Sequence, residues 1–248
     1  MSGHSKWSTI KRKKAVVDAA RGKIFTRIAK ELTIAARAGG GDEATNPRLR
    51  TAISTAKASN MPMANIERAV KKGTGDLEGV IIEEIVYEGY GPGGVALMME
   101  VATDNRNRTV SEIRHLLSKH GGNLAQAGAV SWMFDTKGVL QVPAEGVDED
   151  ELMMAALDGG ADDMTNEGEY FEILTAPADL NTVNEAVIAG GYTVEVAQLQ
   201  NIPNNFTEVS GEDLPKVVTL MEILDDHDDM QKLSASVNFT DEMLAGLE

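Results

Sequence analysis

The sequence predicts an α+β protein in which an N-terminal three-helix domain precedes two ferredoxin-like α/β domains, the third domain being inserted in the second. Three observations lead to this prediction. Apolar side chains recur at helical spacing in the first 78 residues, and strand-like and helical stretches alternate after them. A helical run also ends three times in Gly-Gly before extended chain, which indicates a duplicated α–β unit.

Residues 1–78 are predicted to form a basic arm of about 18 residues followed by the three helices. Gly39 to Gly41 end the first helix, and Asn46 and Pro47 are typical of a cap and first-turn proline for the second. A third helix is predicted to begin near Pro62 and to stop at Gly73. The first helix carries its apolar stripe at three- and four-residue steps: Ile24, Phe25, Ile28, Leu32 and Ala36.

The rest of the chain is predicted to hold the two α/β domains. The stretch "EEIVYEGYGPGGVALMMEVATD" indicates a β-hairpin, and the helix "RTVSEIRHLLSKH" follows it. Three further strands are expected in "GVLQVP", "GEYFEILTAP" and "GYTVEVAQL". The last helix and strand lack partners at the C-terminus, so we expect them to complete the second domain. The predicted bounds are 79–133 with 201–248 for that domain, and 134–200 for the inserted one.

Charge is distributed unevenly along the chain. Residues 1–76 hold 16 Lys and Arg against 6 Asp and Glu, a net of +10, whereas the remaining 172 residues hold 7 against 33, a net of −26. A basic segment neutralises phosphates and releases counterions, while an acidic body is repelled by polyanions. The pattern therefore predicts that, if the protein contacts nucleic acid, it does so with its N-terminal end.

Several classes of protein are disfavoured by what the sequence lacks. It has no cysteine, no apolar stretch of membrane-spanning length and no apolar signal-peptide core, so we expect a cytoplasmic protein without a membrane partner. We find no catalytic motif and expect no enzyme, cofactor or metal. "GYGPGG" matches a dinucleotide-binding pattern, but the strand-like run after it indicates a hairpin turn. The acidic "LDDHDD" is interpreted as a solvated helix end rather than a cation site.

The candidate nucleic-acid-binding residues form two groups. In "TDNRNRTVSEIRH", Arg106 and Arg108 lie at a strand-to-helix junction where they could contact phosphates or base edges. The alternative is local: Asn107 caps the helix and the arginines pair with the acidic body. The larger group lies in the arm and the first helix: His4, Lys6, Trp7, Lys11, Arg12, Lys13, Lys14, Arg21 and Lys23.

Six motifs resemble the signatures of the YebC/PmpR family, in the same order and nearly end to end: "GHSKW", "RGKIFT", "NPRLR", "YEGYGPGG", "DNRNRT" and "KHGGNL". This family includes the mitochondrial translational activator of cytochrome c oxidase subunit one. The resemblance implies a cytoplasmic, non-catalytic, three-domain protein with the third domain inserted in the second. It also implies regulation of gene expression. Some relatives are described as DNA-binding transcriptional regulators, and others act in translation at ribosomal RNA.

Two functions therefore stay open. The first is a non-enzymatic, YebC/PmpR-type DNA-binding transcriptional regulator. The alternative is a ribosome- or rRNA-binding translation factor that relieves stalling at proline-rich stretches. The residues favour RNA slightly, because an acidic body is repelled from a long duplex and because an arm that places His4 and Trp7 among lysines can combine charge with base stacking.

Overall fold

The computed structural model describes residues 17–209 and 211–239. Three helices come first: α1 (Val17–Gly39), α2 (Pro47–Ala58) and α3 (Met63–Thr74). The elements that follow are β1 (Glu83–Tyr90), β2 (Ala96–Thr103), α4 (Arg106–Lys119), β3 (Asn123–Leu124), β4 (Phe134–Pro143), α5 (Glu149–Asp158), β5 (Asp163–Asn166), β6 (Tyr170–Thr175), α6 (Leu180–Ala189), β7 (Val196–Pro203), α7 (Leu214–Asp225) and β8 (Met230–Ala235).

The three helices share one apolar core. Ile28 and Leu32 of α1 are buried against Leu49 of α2 and Ile66 of α3, which confirms the predicted helical stripe except at Ile24, which is 45% exposed and lies outside this core. Because the polar faces of all three helices remain outside this core, the domain presents its charged side chains on its surface.

Asn46 joins the end of α1 to the start of α2. Its side-chain oxygen accepts a 3.1 Å hydrogen bond from the backbone N–H of Leu49, so the predicted N-cap is confirmed. The amide nitrogen donates to the carbonyls of Ala35 and Gly40, each at 2.8 Å. The one buried side chain therefore satisfies backbone groups at the ends of two helices.

Gly73 has a different role from the predicted one. Helix α3 continues through Gly73 to Thr74, and the left-handed residue that ends it is Gly75, with φ 87°. Gly73 is buried against α1, where an added Cβ would lie 2.7 Å from the Cβ of Ala36. The glycine permits the close approach of two helices rather than stopping one of them.

The first sheet has the strand order β3–β1–β2–β8. Strands β1 and β2 form the predicted antiparallel hairpin, with Glu83 opposite Thr103. Strand β8, from the far end of the chain, pairs antiparallel with β2 and so completes this sheet as expected. Helices α4 and α7 pack on one face, where Met99 is buried among Ile113, Leu117 and Leu220, among others.

Helix α4 begins two residues earlier than the motif suggested. Its N-cap is Asn105, whose side-chain oxygen accepts from the N–H of Arg108 at 3.1 Å. The proposed cap Asn107 lies inside the first turn instead. Arg106 and Arg108 therefore both belong to the helix.

The second sheet has the order β5–β6–β4–β7 and carries α5 and α6. The four-residue edge strand β5 was not predicted, because "DMTN" shows neither apolar alternation nor β-branched enrichment. The helical N-terminal region and the two antiparallel sheets confirm the α+β class. The proposed domain bounds stay a prediction, and β7 continues across the proposed boundary at residue 200. Within the described residues, no helix combines the length and apolarity that crossing a bilayer requires.

Candidate nucleic-acid interface

The structure places only part of the predicted interface. Lys23 lies on α1, and Arg106 and Arg108 lie on α4. Arg21 is also on α1, with its side chain outside the described part. The remaining candidates lie outside the described residues: His4, Lys6, Trp7, Lys11, Arg12, Lys13 and Lys14. Their assignment to nucleic-acid binding stays a prediction.

One basic face of α1 contacts the acidic segment, residues 225–229. Its three cations recur at steps of four and three residues, which aligns them on the helix surface. The ion pairs are Lys23–Asp226 at 2.7 Å, Arg27–Asp225 at 3.2 Å and Lys30–Asp229 at 2.8 Å. The interpretation of "LDDHDD" as a solvated helix end is therefore wrong for Asp225 and Asp229, whose side chains are only 13% and 6% exposed.

Asp229 is the centre of this contact. One carboxylate oxygen accepts from Lys30 at 2.8 Å, and the other accepts from Arg108 at 2.8 Å and from Thr109 at 2.7 Å. Burial alone would raise the pKa of Asp229, but the hydrogen bonds from Lys30, Thr109 and Arg108 outweigh it and hold the pKa well below its ordinary value. Asp229 is therefore a buried, fully paired carboxylate.

The two arginines of "DNRNRT" differ in their surroundings. Arg108 pairs with Asp229 and also with Asp104 at 3.2 Å, as the local alternative for this motif expected. Arg106 is exposed and forms no ion pair with any residue in the ranges 17–209 and 211–239. The structure thus leaves Arg106 more accessible to a phosphate than Arg108.

Glu112, His227 and Asp229 bring three potential metal ligands within 4.8 Å of one another. His227 accepts from the backbone N–H of Asp229 through Nδ1, which leaves Nε2 to donate to Glu112 at 3.0 Å. Both oxygens of Asp229 are already bonded, and Lys30 and Arg108 would repel a cation there. We interpret the cluster as a hydrogen-bond network rather than a metal centre.

A cationic surface on α3 was missed by the sequence reasoning. Arg68, Lys71 and Lys72 are exposed on one face of the helix, and none of them pairs with an acidic residue in the part of the chain that the structure describes. Arg68 and Lys72 line a groove of about 360 Å³ together with Asn65 and Lys30. The signal was available in "ERAVKKG", where the cations fall opposite the buried Ile66 and Ala69 of the same helix.

A larger cleft of about 780 Å³ separates the helical domain from the two sheets. Arg48 spans part of it with hydrogen bonds to Glu31 and Glu84, which raise its pKa although partial desolvation opposes this. Among the described residues that line the cleft, none is a histidine, serine or aspartate, the side chains that nucleophilic triads combine.

Comparison with known proteins now places the chain in a family. The model described as "TACO1/YebC protein N-terminal domain" matches residues 5–76, and the one described as "TACO1/YebC second and third domain" matches residues 82–237. The chain belongs to the TACO1/YebC family. The resemblance drawn from the six motifs is thereby confirmed.

Relatives in this family are similar over their whole length. A probable transcriptional regulatory protein of Desulforapulum autotrophicum is 55% identical over 98% of each chain, and one of Chlorobium luteolum is 50% identical over 100% of each. The crystal structure of a conserved hypothetical protein, Aq1575 from Aquifex aeolicus, superimposes with a TM-score of 0.87. It is 46% identical and covers 93% of this chain and 96% of that one. The names of the Desulforapulum autotrophicum and Chlorobium luteolum relatives support a regulatory role.

Proposed function

We propose that this TACO1/YebC protein is a cytoplasmic, non-enzymatic regulator of gene expression that binds nucleic acid through its helical domain and basic N-terminal arm. The observation that carries the proposal is the exposed cationic face of α3, where Arg68, Lys71 and Lys72 have no acidic partner among the described residues. Cations left unpaired on a surface are available to phosphates.

The pairing of the other cations supports this choice of surface. Lys23, Arg27 and Lys30 are held by the acidic segment, whereas the α3 face is exposed. A bound polyanion would therefore contact α3 and the arm while the acidic body stays away from it. The names of the relatives favour duplex DNA as the target. The second candidate is a folded RNA such as ribosomal RNA. It is favoured by the net charge of −26 on the body, because an acidic body is repelled from a long duplex.

Binding by the full chain to duplex DNA and to ribosomes, at about 0.15 M salt, tests the proposal. The test variant combines Lys71→Gln and Lys72→Gln on α3. The control variant combines Lys137→Gln and Lys216→Gln, and it removes the same charge from lysines of the body that are paired with Asp162 and Asp213. We expect the α3 variant to bind more weakly. The slope of the logarithm of its binding constant against the logarithm of the salt concentration should fall by about one to two, as expected when one or two phosphate contacts are lost. The body variant adds the same negative charge away from the proposed site, so any loss of its affinity should be smaller than that of the α3 variant.

The arm is tested separately by changing Lys11, Arg12, Lys13 and Lys14 together to alanine. Selective loss of DNA binding identifies a transcriptional regulator, and selective loss of ribosome binding identifies a translation factor. A parent protein that binds neither target would contradict the proposal.

A further inference from the structure

Trp132 is the most exposed large apolar side chain in the part of the chain that the structure describes. Its side chain lies in a short turn, Ser131–Met133, between β3 and β4, and 71% of its surface is accessible. A tryptophan that only completed a core would be buried, as the neighbouring Val130 and Phe134 are at 0% and 8%. The indole therefore faces outward on a segment that is itself anchored.

The anchor is the carboxylate of Glu88 on β1, which is only 6% exposed. One oxygen accepts from the N–H of Gly128 at 2.7 Å, and the other accepts from the N–H groups of Val130 at 2.6 Å and Ser131 at 2.9 Å. Three charge-assisted hydrogen bonds hold the backbone next to Trp132 in one conformation. The ring is therefore presented from a rigid support.

The polar atom of the indole is already used. Trp132 Nε1 donates to the carbonyl of Ala129 at 3.0 Å, and the same carbonyl accepts from the hydroxyl of Tyr90 at 3.2 Å. The indole N–H bond orients the ring and uses its only polar atom, so the accessible remainder of the ring is aromatic carbon. A fixed, outward-facing π-surface is the form that stacking on a planar partner requires.

A second exposed segment lies beside this turn. The N–H of Asn204 donates to the carbonyl of Met133 at 2.8 Å, which joins the start of residues 204–206 to the Trp132 turn. Asn204, Asn205 and Phe206 are exposed, Phe206 at 39%. We call Trp132 with residues 204–206 the aromatic platform. Its amides can donate to and accept from the edges of a base next to the ring.

The segments that form the aromatic platform add no charged side chain of their own, although the buried Glu88 lies beneath the turn and the exposed Asp135 lies opposite Ile202. Residues 121–134 and 196–207 contain no Asp, Glu, Lys or Arg, although the chain from residue 77 onward carries a net charge of −26. An acidic surface repels phosphates, so these two adjoining charge-free segments are a place where a nucleic-acid strand can approach the body.

We propose that the aromatic platform binds an unpaired nucleobase of a single-stranded nucleic acid by stacking on Trp132. This rests on the proposed function and extends it to a second contact, on the body and away from the cationic face of α3. A base is favoured over a protein partner because the exposed residues of 121–134 and 204–206 are mainly amides, glycine and alanine, with Phe206 as the one large apolar side chain exposed there besides Trp132, whereas a tryptophan hot spot is surrounded by several.

The test uses the full chain with Trp132→Ala and Trp132→Phe, and three labelled probes at about 0.15 M salt: a 12-residue oligouridine, its deoxy counterpart and a mixed-sequence duplex DNA. Stacking on one base predicts a loss of single-strand affinity of about 5- to 100-fold for Trp132→Ala. Trp132→Phe should retain most of the affinity, and duplex affinity should not change. Circular dichroism and the unfolding midpoint should match the parent, since the side chain is exposed.

The outcomes separate this inference from the proposed function. If Trp132→Ala binds all probes as tightly as the parent while the arm or α3 variants lose affinity, the aromatic platform is not a base-binding site and the proposed function stands. The same result is expected if Trp132 contacts a protein instead. If Trp132→Ala loses the same affinity for single strands and for the duplex, the aromatic platform is not a site for an unpaired base. A loss of affinity for oligouridine alone identifies RNA as the ligand of the platform. An equal loss of affinity for both single strands identifies base stacking that does not distinguish ribose from deoxyribose. A parent protein that binds neither single-stranded probe overturns the inference, and one that binds neither duplex DNA nor ribosomes overturns the proposed function as well.

Discussion

Lys30 on α1 donates a 2.8 Å hydrogen bond to Asp229, a residue 199 positions further along the chain. Its ammonium group also donates to the backbone carbonyls of Ala102 at 2.9 Å and Asp228 at 3.0 Å. All three donors of the lysine are therefore used between the helical domain and the first sheet. A largely buried ion pair, rather than apolar packing alone, sets how the cationic face of α3 is held relative to the acidic body.

Asp229→Asn is expected to reduce the free energy of unfolding by about 3 kcal/mol at pH 7. The change leaves Lys30 and Arg108 facing a neutral amide in a site that is only 6% exposed. Urea unfolding measures the loss. Asp226→Asn is the control, because that side chain is 71% exposed and its pair with Lys23 should contribute less than about 1 kcal/mol. Equal losses in the two variants would show that burial of Asp229 does not matter.

The same carboxylate predicts a pH dependence. Its folded-state pKa lies below the ordinary value of 3.8, so it stabilises the fold fully above that value and progressively less as the pH falls through and below it. The stability difference between the parent and Asp229→Asn should therefore shrink on acidification from pH 6 to about pH 2. A difference that stays constant over this range would contradict the depressed pKa.

Glu88→Gln is expected to reduce the free energy of unfolding by about 2–4 kcal/mol. Burial raises the pKa of Glu88, but the N–H groups of Gly128, Val130 and Ser131 lower it further, so the carboxylate is charged in the folded state. A glutamine would place an NH₂ group against one of these donors. Glu83→Gln, at an exposed position on the same strand, should change the unfolding midpoint little. A glutamine variant as stable as the parent would mean that the loop is held by other contacts.

Asn46→Ala is expected to reduce stability by more than the roughly 1 kcal/mol of an ordinary N-cap, because the amide also bonds the carbonyls of Ala35 and Gly40. Asn46→Ser keeps a capping oxygen but loses both donors. Chemical unfolding should therefore rank the parent above Asn46→Ser and Asn46→Ser above Asn46→Ala. If serine restores the parent stability, the two extra hydrogen bonds contribute nothing.

Gly73→Ala is expected to reduce stability by about 1–3 kcal/mol, because the added methyl group overlaps α1 at Thr33 and Ala36. Gly22→Ala is the matched change on α1, where nothing lies within 4 Å of the added Cβ. Helix propensity then predicts a gain of up to about 1 kcal/mol. Opposite signs in thermal unfolding would support the close packing of α1 and α3, and a stabilised Gly73→Ala would refute it.

The sequence by itself determined the helices, the hairpin and the sorting of charge between the two ends of the chain. Each of these is encoded locally: in the stripe that includes Ile28 and Leu32, in the cap at Asn46, and in the count of acidic and basic residues. That the last strand completes the second domain was also predictable, because an isolated strand needs a partner for its backbone groups; that the partner is β2 came from the structure.

Only the tertiary structure decided which charges are free. Lys30 and Lys72 look alike in the sequence, yet Lys30 is paired with Asp229 and Lys72 is exposed on the surface of α3. The same holds for Trp132, whose exposure depends on the distant Glu88 that anchors its loop. The physical reason is that the local sequence pattern around a charged or aromatic side chain is the same whether that side chain faces solvent or another domain. Which of the two it faces is set by contacts between residues far apart in the chain.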